Sequence, residues 1–292
     1  MKFSHHCVTC LINKESERLG SYDDEDKKLL HMKEVLMLFL EDENRSAPVI
    51  QYKIKKLHEK TFMNLDDPYY DIKHRHNKIL LEKEGDISKI IMDSKDRLKT
   101  AVQFARAGNY IDLAAMEEMD LRKLDQLLEE APHEHLDEQV YHEFRNCLES
   151  ARRMVYLTDN CGEIVLDKIL LCQIKEQFPK LDICIIVRGK PVINDATMED
   201  AEMTGLSGQF KVIGSGSGIG GTSIPDLSSE ARERLLSADL IISKGQGNYE
   251  SLYGCGLNIF YLFLCKCDWF VAMFGVKRLG GVFIQEKYRD CH

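Results

Sequence analysis

Residues 156–171 read YLTDNCGEIVLDKILL, and the fold turns on how this stretch is parsed. It opens as the end of the β-rich run RMVYLTD and closes in the helical period of GEIVLDKILLCQIKEQF. A strand that feeds a helix and is followed by another strand is a βαβ unit, and such units build a mostly parallel sheet covered on both faces. The same grammar recurs downstream in LDICIIVRG, FKVIG, DLIISKG, IFYLFLC and GGVFIQ, with helical patterns such as DLSSEARERLLS between them. The continuous apolar cores of these runs suit strands buried on both sides.

Upstream of residue 150 the pattern is helical throughout. DKKLLHMKEVLMLFLEDE repeats its apolar residues at three and four. DPYYDIKHRHNKILLEKEG predicts a helix capped by Asp67, with Pro68 in its first turn and its stop at Gly85. DISKIIMDSKDRLKTAVQFARAG predicts a second helix ending at Gly108, and LRKLDQLLEEA and DEQVYHEFRNCLESA continue the style. The expected organisation is an all-helical region over residues 1–150 and an α/β region over 151–292.

Composition narrows the function. The 292 residues are 44% hydrophobic and 30% charged with a net charge of −9, which supplies a core but not the basic face of a nucleic-acid binder. No apolar run reaches the roughly 18 residues of a membrane span, and MKFSHHCVTC lacks the apolar centre of a secretory signal. The expectation is a cytoplasmic protein with no membrane and no nucleic-acid partner. Its ten cysteines then read as reduced thiols before disulfides. The ligand-like clusters are His5, His6, Cys7 and Cys10 near the start, and Cys265 with Cys267; ordinary buried thiols are the preferred reading of both.

In open parallel sheets, sites form outside the carboxyl ends of the strands. Asp159 and Asn160 follow the first strand, Arg188, Lys190, Asn194 and Asp195 the second, and GSGSGIGGTS the third. Lys244, Gly245, Gln246, Gly247 and Asn248 follow the fourth, and Lys266 the fifth. Asp159, Asn160 and Asp195 offer hard oxygen ligands, which favour Mg²⁺ or Mn²⁺ over zinc. Lys244, Lys266 and the amides of the helix starting near Gly162 suit an anion. Together they suggest a phosphate site, although one of the Asp159–Asn160 pair also reads as the helix N-cap. GSGIGG, residues 216–221, matches a dinucleotide fingerprint only formally, because four residues intervene before a helix can start; it reads as a mobile, anion-tolerant loop. Apart from His292, every histidine lies before residue 143, so the α/β half brings no internal imidazole base.

Taken in order, these motifs resemble the metal-dependent damage-control phosphatases, the family of domain of unknown function 89. TDNCGEIVLD resembles their Asp-Asn-x-Gly-Glu block, KPVINDATMEDA their Asn-Asp block, SKGQGNYESL their Lys-Gly-x-x-Asn block and ARAGNYIDLA their Gly-Asn-x-x-Asp turn. DPYYDIKHRHN and CVTC resemble the mainly prokaryotic, cysteine-bearing branch. The resemblance implies an all-helical N-terminal region packed on a Rossmann-like, three-layer α/β/α domain. It also implies a divalent metal, Mn²⁺ or Mg²⁺ with Co²⁺ and Ni²⁺ as further candidates, and hydrolysis of phosphate monoesters of small metabolites such as sugar phosphates. Asp159, Asn160 and Asp195 match its metal ligands, with Asp159 and Asp195 in the chemistry. Asn194, Lys244, Gly245, Asn248 and Lys266 fall at its substrate-binding positions, and Asn109 and Asp112 line the site from the helical side.

The mechanism expected is in-line attack on a phosphate held by the metal and the lysines. The nucleophile is a metal-activated water, oriented by Glu163, or a carboxylate such as Asp159. The competing readings are an S-adenosylmethionine-dependent methyltransferase and a non-catalytic sensor of a phosphorylated metabolite.

Overall fold

The computed structural model describes residues 3–40, 46–63, 69–110 and 121–286. Helices come first: α1 (His5–Leu19), α2 (Glu25–Leu40), α3 (Ala47–Phe62), α4 (Tyr70–Asp93), α5 (Arg97–Ala107), α6 (Leu121–Glu130) and α7 (Glu138–Ser150). From Arg153 strands and helices alternate: β1 (Arg153–Leu157), α8 (Glu163–Gln177), β2 (Asp182–Val187), α9 (Met198–Met203), β3 (Lys211–Gly214), α10 (Ser229–Leu236), β4 (Leu240–Lys244), α11 (Gln246–Leu252), β5 (Ile259–Leu264), α12 (Asp268–Phe274) and β6 (Gly281–Glu286).

The strand order is β3-β2-β1-β4-β5-β6. β1 to β5 are parallel, with Leu157 opposite Ile186 on one side and Ser243 on the other, and β6 closes the edge antiparallel to β5. The chain winds outward from β1 to β3 and then returns to start β4 on the other side of β1. The carboxyl ends of β1 and β4 therefore flank the switch point where such sheets bind ligands. The mostly parallel α/β fold expected from the strand runs is the one observed.

Strand residues alternate between the two faces, and the faces carry different helices. Met154, Tyr156, Ile185, Ile242 and Phe260 pack with α4, α5, α7 and α8. Val155, Leu157, Ile186, Ile241 and Phe263 pack with α10, α11 and α12. α8 is buried along its first nine residues because α4 and α5 lie on it from the other side, which is why its sequence is apolar nearly all round. One apolar cluster thus runs from Leu80, Leu98, Phe104 and Phe144 into the sheet without a break. α1 to α3 keep a small core of their own, Leu11, Val35, Ile50 and Ile54.

Two helix boundaries differ from the sequence expectation. α4 does not stop at Gly85 but continues to Asp93, carrying Leu80, Ile87 and Ile91 into the core. A Cβ at Gly85 would meet nothing within 4 Å, so the glycine sits on an open face. A glycine there weakens the helix by about 1 kcal/mol without breaking it. The break falls instead at Asp96, whose carboxylate accepts the Lys99 amide at 3.0 Å and starts α5. Asp67 and Pro68 lie outside the described residues.

Candidate active site

The loops after β1 and β2 are zipped together by backbone hydrogen bonds. Ala196 N donates to Asp159 O at 2.8 Å and Cys161 N to Asn194 O at 2.8 Å, which sets Asn160 opposite Asp195 in an isolated bridge. Two carboxylates and two amides from adjacent strand ends are thereby brought to one place. Gly162, with φ of 67°, is the N-cap of α8, so neither Asp159 nor Asn160 is its cap. Gly162 N instead donates to Asn77 Oδ1 at 2.6 Å. Asn77 Nδ2 donates to Asp200 Oδ1 at 2.8 Å, so one α4 residue holds the start of α8 and the start of α9. Nothing in the local pattern around Asn77 signals this role.

Asp159 Oδ2 accepts from Asn109 Nδ2 and Asn160 Nδ2, both at 2.9 Å. The same two amides donate to Glu163 Oε2 at 3.0 and 2.9 Å. Asn109, fully buried, also accepts from Leu264 N at 3.1 Å, which ties the end of α5 to the end of β5. The helical half therefore reaches the centre through Asn109; Asp112 lies outside the described residues. Gly245 is the close neighbour from β4. Its φ is 79°, and a Cβ there would lie 2.0 Å from Asp159 Oδ2. Only glycine lets this backbone pass beside the carboxylate.

Arg188, a polar residue after β2, organises the centre. It is 2% exposed; Nε donates to Asp195 Oδ2 at 2.6 Å and a terminal nitrogen lies 3.6 Å from Asp159 Oδ1. Its other terminal nitrogen donates to Gly221 O at 3.0 Å and Asn248 Oδ1 at 3.1 Å. Asn248 is held in turn by Thr222, Thr158 O and Lys244 O, so in this structure its side chain serves Arg188. The glycine-rich loop is pinned by these contacts and by Gly221 packing on Gly247, where a Cβ would lie 2.6 Å from the carbonyl oxygen. The mobile loop expected from its composition is tied down at this end.

Lys244 is fully buried. Its ammonium donates to Ala105 O at 2.8 Å, to Asp167 Oδ1 at 2.6 Å and to Glu163 Oε1, which accounts for its three protons. The sequence reading gave Lys244 a phosphate; here it holds two carboxylates beneath the centre and joins α5 to α8. Burial pushes the Asp167 carboxyl up to about 7, against the pull of Lys244 and with a further push from Glu163. Glu163 is likewise saturated, by Lys244 on one oxygen and the two asparagine amides on the other. Lys266, half-buried at the end of β5, gives its backbone amide to Gln246 Oε1 at 3.2 Å.

The donor set fits a divalent cation. The buried carboxylates Asp159, Asp195, Glu163 and part-protonated Asp167 outnumber the two buried cations they contact, Arg188 and Lys244, by one to two charges. Asn194 is fully buried and both its amide atoms lack a hydrogen-bond partner, an expensive state for a side chain with nothing to bind. Asp159, Asn160 and Asp195 are the residues that would hold the ion.

Away from this centre, Glu15, His31 and His58 of α1, α2 and α3 form a buried group whose ligand atoms lie within 4.8 Å of one another, a spacing compatible with a metal. Among the described residues Cys7 and Cys10 join no such three-ligand group, and the nine described cysteines are free thiols. Sequence reasoning missed the triad because its members are far apart in the chain and no motif joins them. No described helix is long and apolar enough to cross a membrane.

α3 covers the carboxyl edge. Lys55 Nζ donates to Pro191 O at 3.1 Å and Ser46 Oγ, at the cap of α3, to Ser251 Oγ at 3.4 Å, so α3 bridges the loop after β2 and α11. Asp159, Asn160, Asn194 and Asp195 are at most 7% exposed.

Residues 3–280 match the model of the damage-control phosphatase ARMT1-like domain. The chain is 30% identical over 278 residues to a damage-control phosphatase of Archaeoglobus fulgidus, covering 92% of this chain and 93% of that one. It is 29% identical over 296 residues to a damage-control phosphatase of Pyrococcus horikoshii, covering 99% and 100%. An uncharacterized protein of Methanocaldococcus jannaschii is 31% identical over 277 residues, covering 91% and 90%. The crystal structure of a DUF89 family protein from Pyrococcus horikoshii superposes with a TM-score of 0.80 at 29% identity, covering 98% of this chain and 100% of that one. With nearly its whole length matched by the family's model and by two of its named phosphatases, the chain belongs to the damage-control phosphatase family.

Proposed function

We propose that this protein hydrolyses phosphate monoesters of small, damaged metabolites, sugar phosphates among them, with a divalent cation held by Asp159, Asn160 and Asp195. The observation that carries this reading is the zipped pair of loops, which brings two carboxylates and two amides to one buried point with negative charge in excess. Such a cation supplies positive charge against the phosphate oxygens when bound.

The chain's own residues do the remaining work. Arg188 orients Asp195 through its Nε, and one of its terminal nitrogens, buried without a hydrogen-bond partner, is placed to take a phosphate oxygen. Asn194, whose amide atoms find no hydrogen-bond partner among the described residues, offers a further donor and acceptor. Glu163 acts as a positioning residue: it aligns the Asn160 and Asn109 amides against Asp159, and Lys244 holds Glu163 in place. Lys266 stands at the end of β5 as the further cation for the substrate. Burial of the centre excludes bulk water and strengthens each of these charge contacts.

The test is release of inorganic phosphate from p-nitrophenyl phosphate and from a panel of sugar phosphates. Chelated enzyme should be inactive and recover with Mn²⁺ or Mg²⁺. Asp195→Ala should lose metal affinity and turnover together. Equal turnover before and after chelation would remove the cation. Tight binding of phosphorylated metabolites without turnover, at any metal, would make the protein a sensor.

A further inference from the structure

The Glu15–His31–His58 group lies in the α1–α3 unit, outside the centre described above. Glu15 is 2%, His31 0% and His58 5% exposed. Both imidazoles converge on a single oxygen: His31 Nε2 lies 2.8 Å and His58 Nδ1 2.6 Å from Glu15 Oε1. The far nitrogen of each ring meets a hydroxyl, Thr61 Oγ1 at 3.4 Å from His31 Nδ1 and Tyr22 at 3.1 Å from His58 Nε2.

Proton accounting makes this arrangement unusual. Thr61 spends its one proton on Leu57 O at 2.9 Å, so towards His31 Nδ1 it can only accept. With its ring proton on Nδ1, a neutral His31 aims the Nε2 lone pair at the Glu15 carboxylate. Two lone pairs at 2.8 Å repel each other; a cation between them is attracted to both. His58 brings a third donor to the same point, and the Thr61 and Tyr22 hydroxyls occupy the positions of the outer partners that orient metal-bound histidines.

We propose that Glu15 Oε1, His31 Nε2 and His58 Nδ1 bind a structural Zn²⁺ ion that clamps α1, α2 and α3. Two imidazoles and one carboxylate suit zinc, whereas the all-oxygen set at Asp159 suits a harder ion. Tetrahedral ligands roughly 2.05 Å from a metal stand about 3.3 Å apart, so the two contacts need open by only some half an ångström, within reach of side-chain adjustment. Glu15 Oε2, now 3.2 Å from Arg18, or one water supplies the fourth position. The unit has a use for such a clamp. Its own apolar cluster centres on four buried side chains, Leu11, Val35, Ile50 and Ile54, and small cores of this kind are commonly reinforced by a metal.

The test uses the full-length chain. After dialysis against micromolar Zn²⁺, wild type should retain zinc, and its X-ray absorption should show outer-shell scattering from two imidazoles, a group the Asp159 centre does not possess. Titration with Co²⁺ should give nitrogen-ligand visible bands in wild type and in Asp195→Ala. The bands should be absent in His31→Ala and His58→Gln. Zinc should raise the thermal midpoint of Asp195→Ala and leave that of His58→Gln unmoved. Wild type that holds no zinc, or zinc without imidazole scattering, overturns the proposal, and this arm does not depend on any variant folding. Unchanged Co²⁺ bands in His31→Ala overturn it as well. In either case the group is a hydrogen-bonded triad in which His31 Nε2 and His58 Nδ1 donate to Glu15.

Discussion

Lys244 shows how much a single side chain can conceal from its sequence. At the end of LIISKG it reads as a loop-tip cation with no acid nearby, yet its two carboxylate partners stand 77 and 81 residues earlier. No local pattern reports a contact of that separation; only the winding of the sheet creates it. Lys244→Met leaves Glu163 and Asp167 buried without their counter-charge, and urea unfolding should show a loss of about 3–5 kcal/mol. A second residue, His76, gives a pH signature. Burial and the neighbouring Arg75 push its imidazole down to about 4, from an ordinary value of 6.5. The folded chain keeps the ring neutral while the unfolded chain takes up a proton near pH 6.5. Its contribution is therefore complete above pH 6.5 and is lost as the pH falls towards 4. His76→Gln should flatten that part of the stability–pH curve relative to wild type, measured by denaturation between pH 4 and 7.

Elements were legible to the extent that their signal was local. All six strands stood out as apolar runs, and α8 followed from a helical period directly after β1. The short helices α9, α11 and α12, with six or seven residues each, give too few turns for a period to register. The centre was legible as a set of strand ends, which is why Asp159, Asn160, Asn194 and Asp195 could be grouped. It was not legible that Arg188 would turn inward between the carboxylates, or that Asn77 would hold two loops from α4. Gly245 tests the fit between β4 and the Asp159 loop. Gly245→Ala adds a Cβ where the Asp159 carboxylate stands and strains a backbone conformation that only glycine takes readily, costing about 1–3 kcal/mol from the backbone alone. Phosphate release should fall by at least about tenfold, since a misplacement of an ångström is enough for a larger loss. Asn77→Ala removes the partner of Gly162 N and of Asp200. It should lower stability by about 1–3 kcal/mol, read from the shift in urea midpoint.

At the scale of the molecule, the change of grammar near residue 150 is a change of secondary structure inside a continuous interior. Phe104 and Phe144 share an apolar cluster with Tyr156 and Phe260, and Ala105 O accepts from Lys244. A fragment beginning at residue 151 should therefore lack a cooperative thermal transition, a result calorimetry can read directly. The shared interior also orders events during synthesis. α4 and α5 leave the ribosome with apolar faces whose partners in β4 and β5 have not been made. From Ala107 to Leu264 is 157 residues, and at ~5–20 residues per second those faces wait roughly 8–30 s. For that interval the nascent chain displays apolar surface that β4 and β5 will cover, so chaperone engagement should peak before β5 emerges and end once it does.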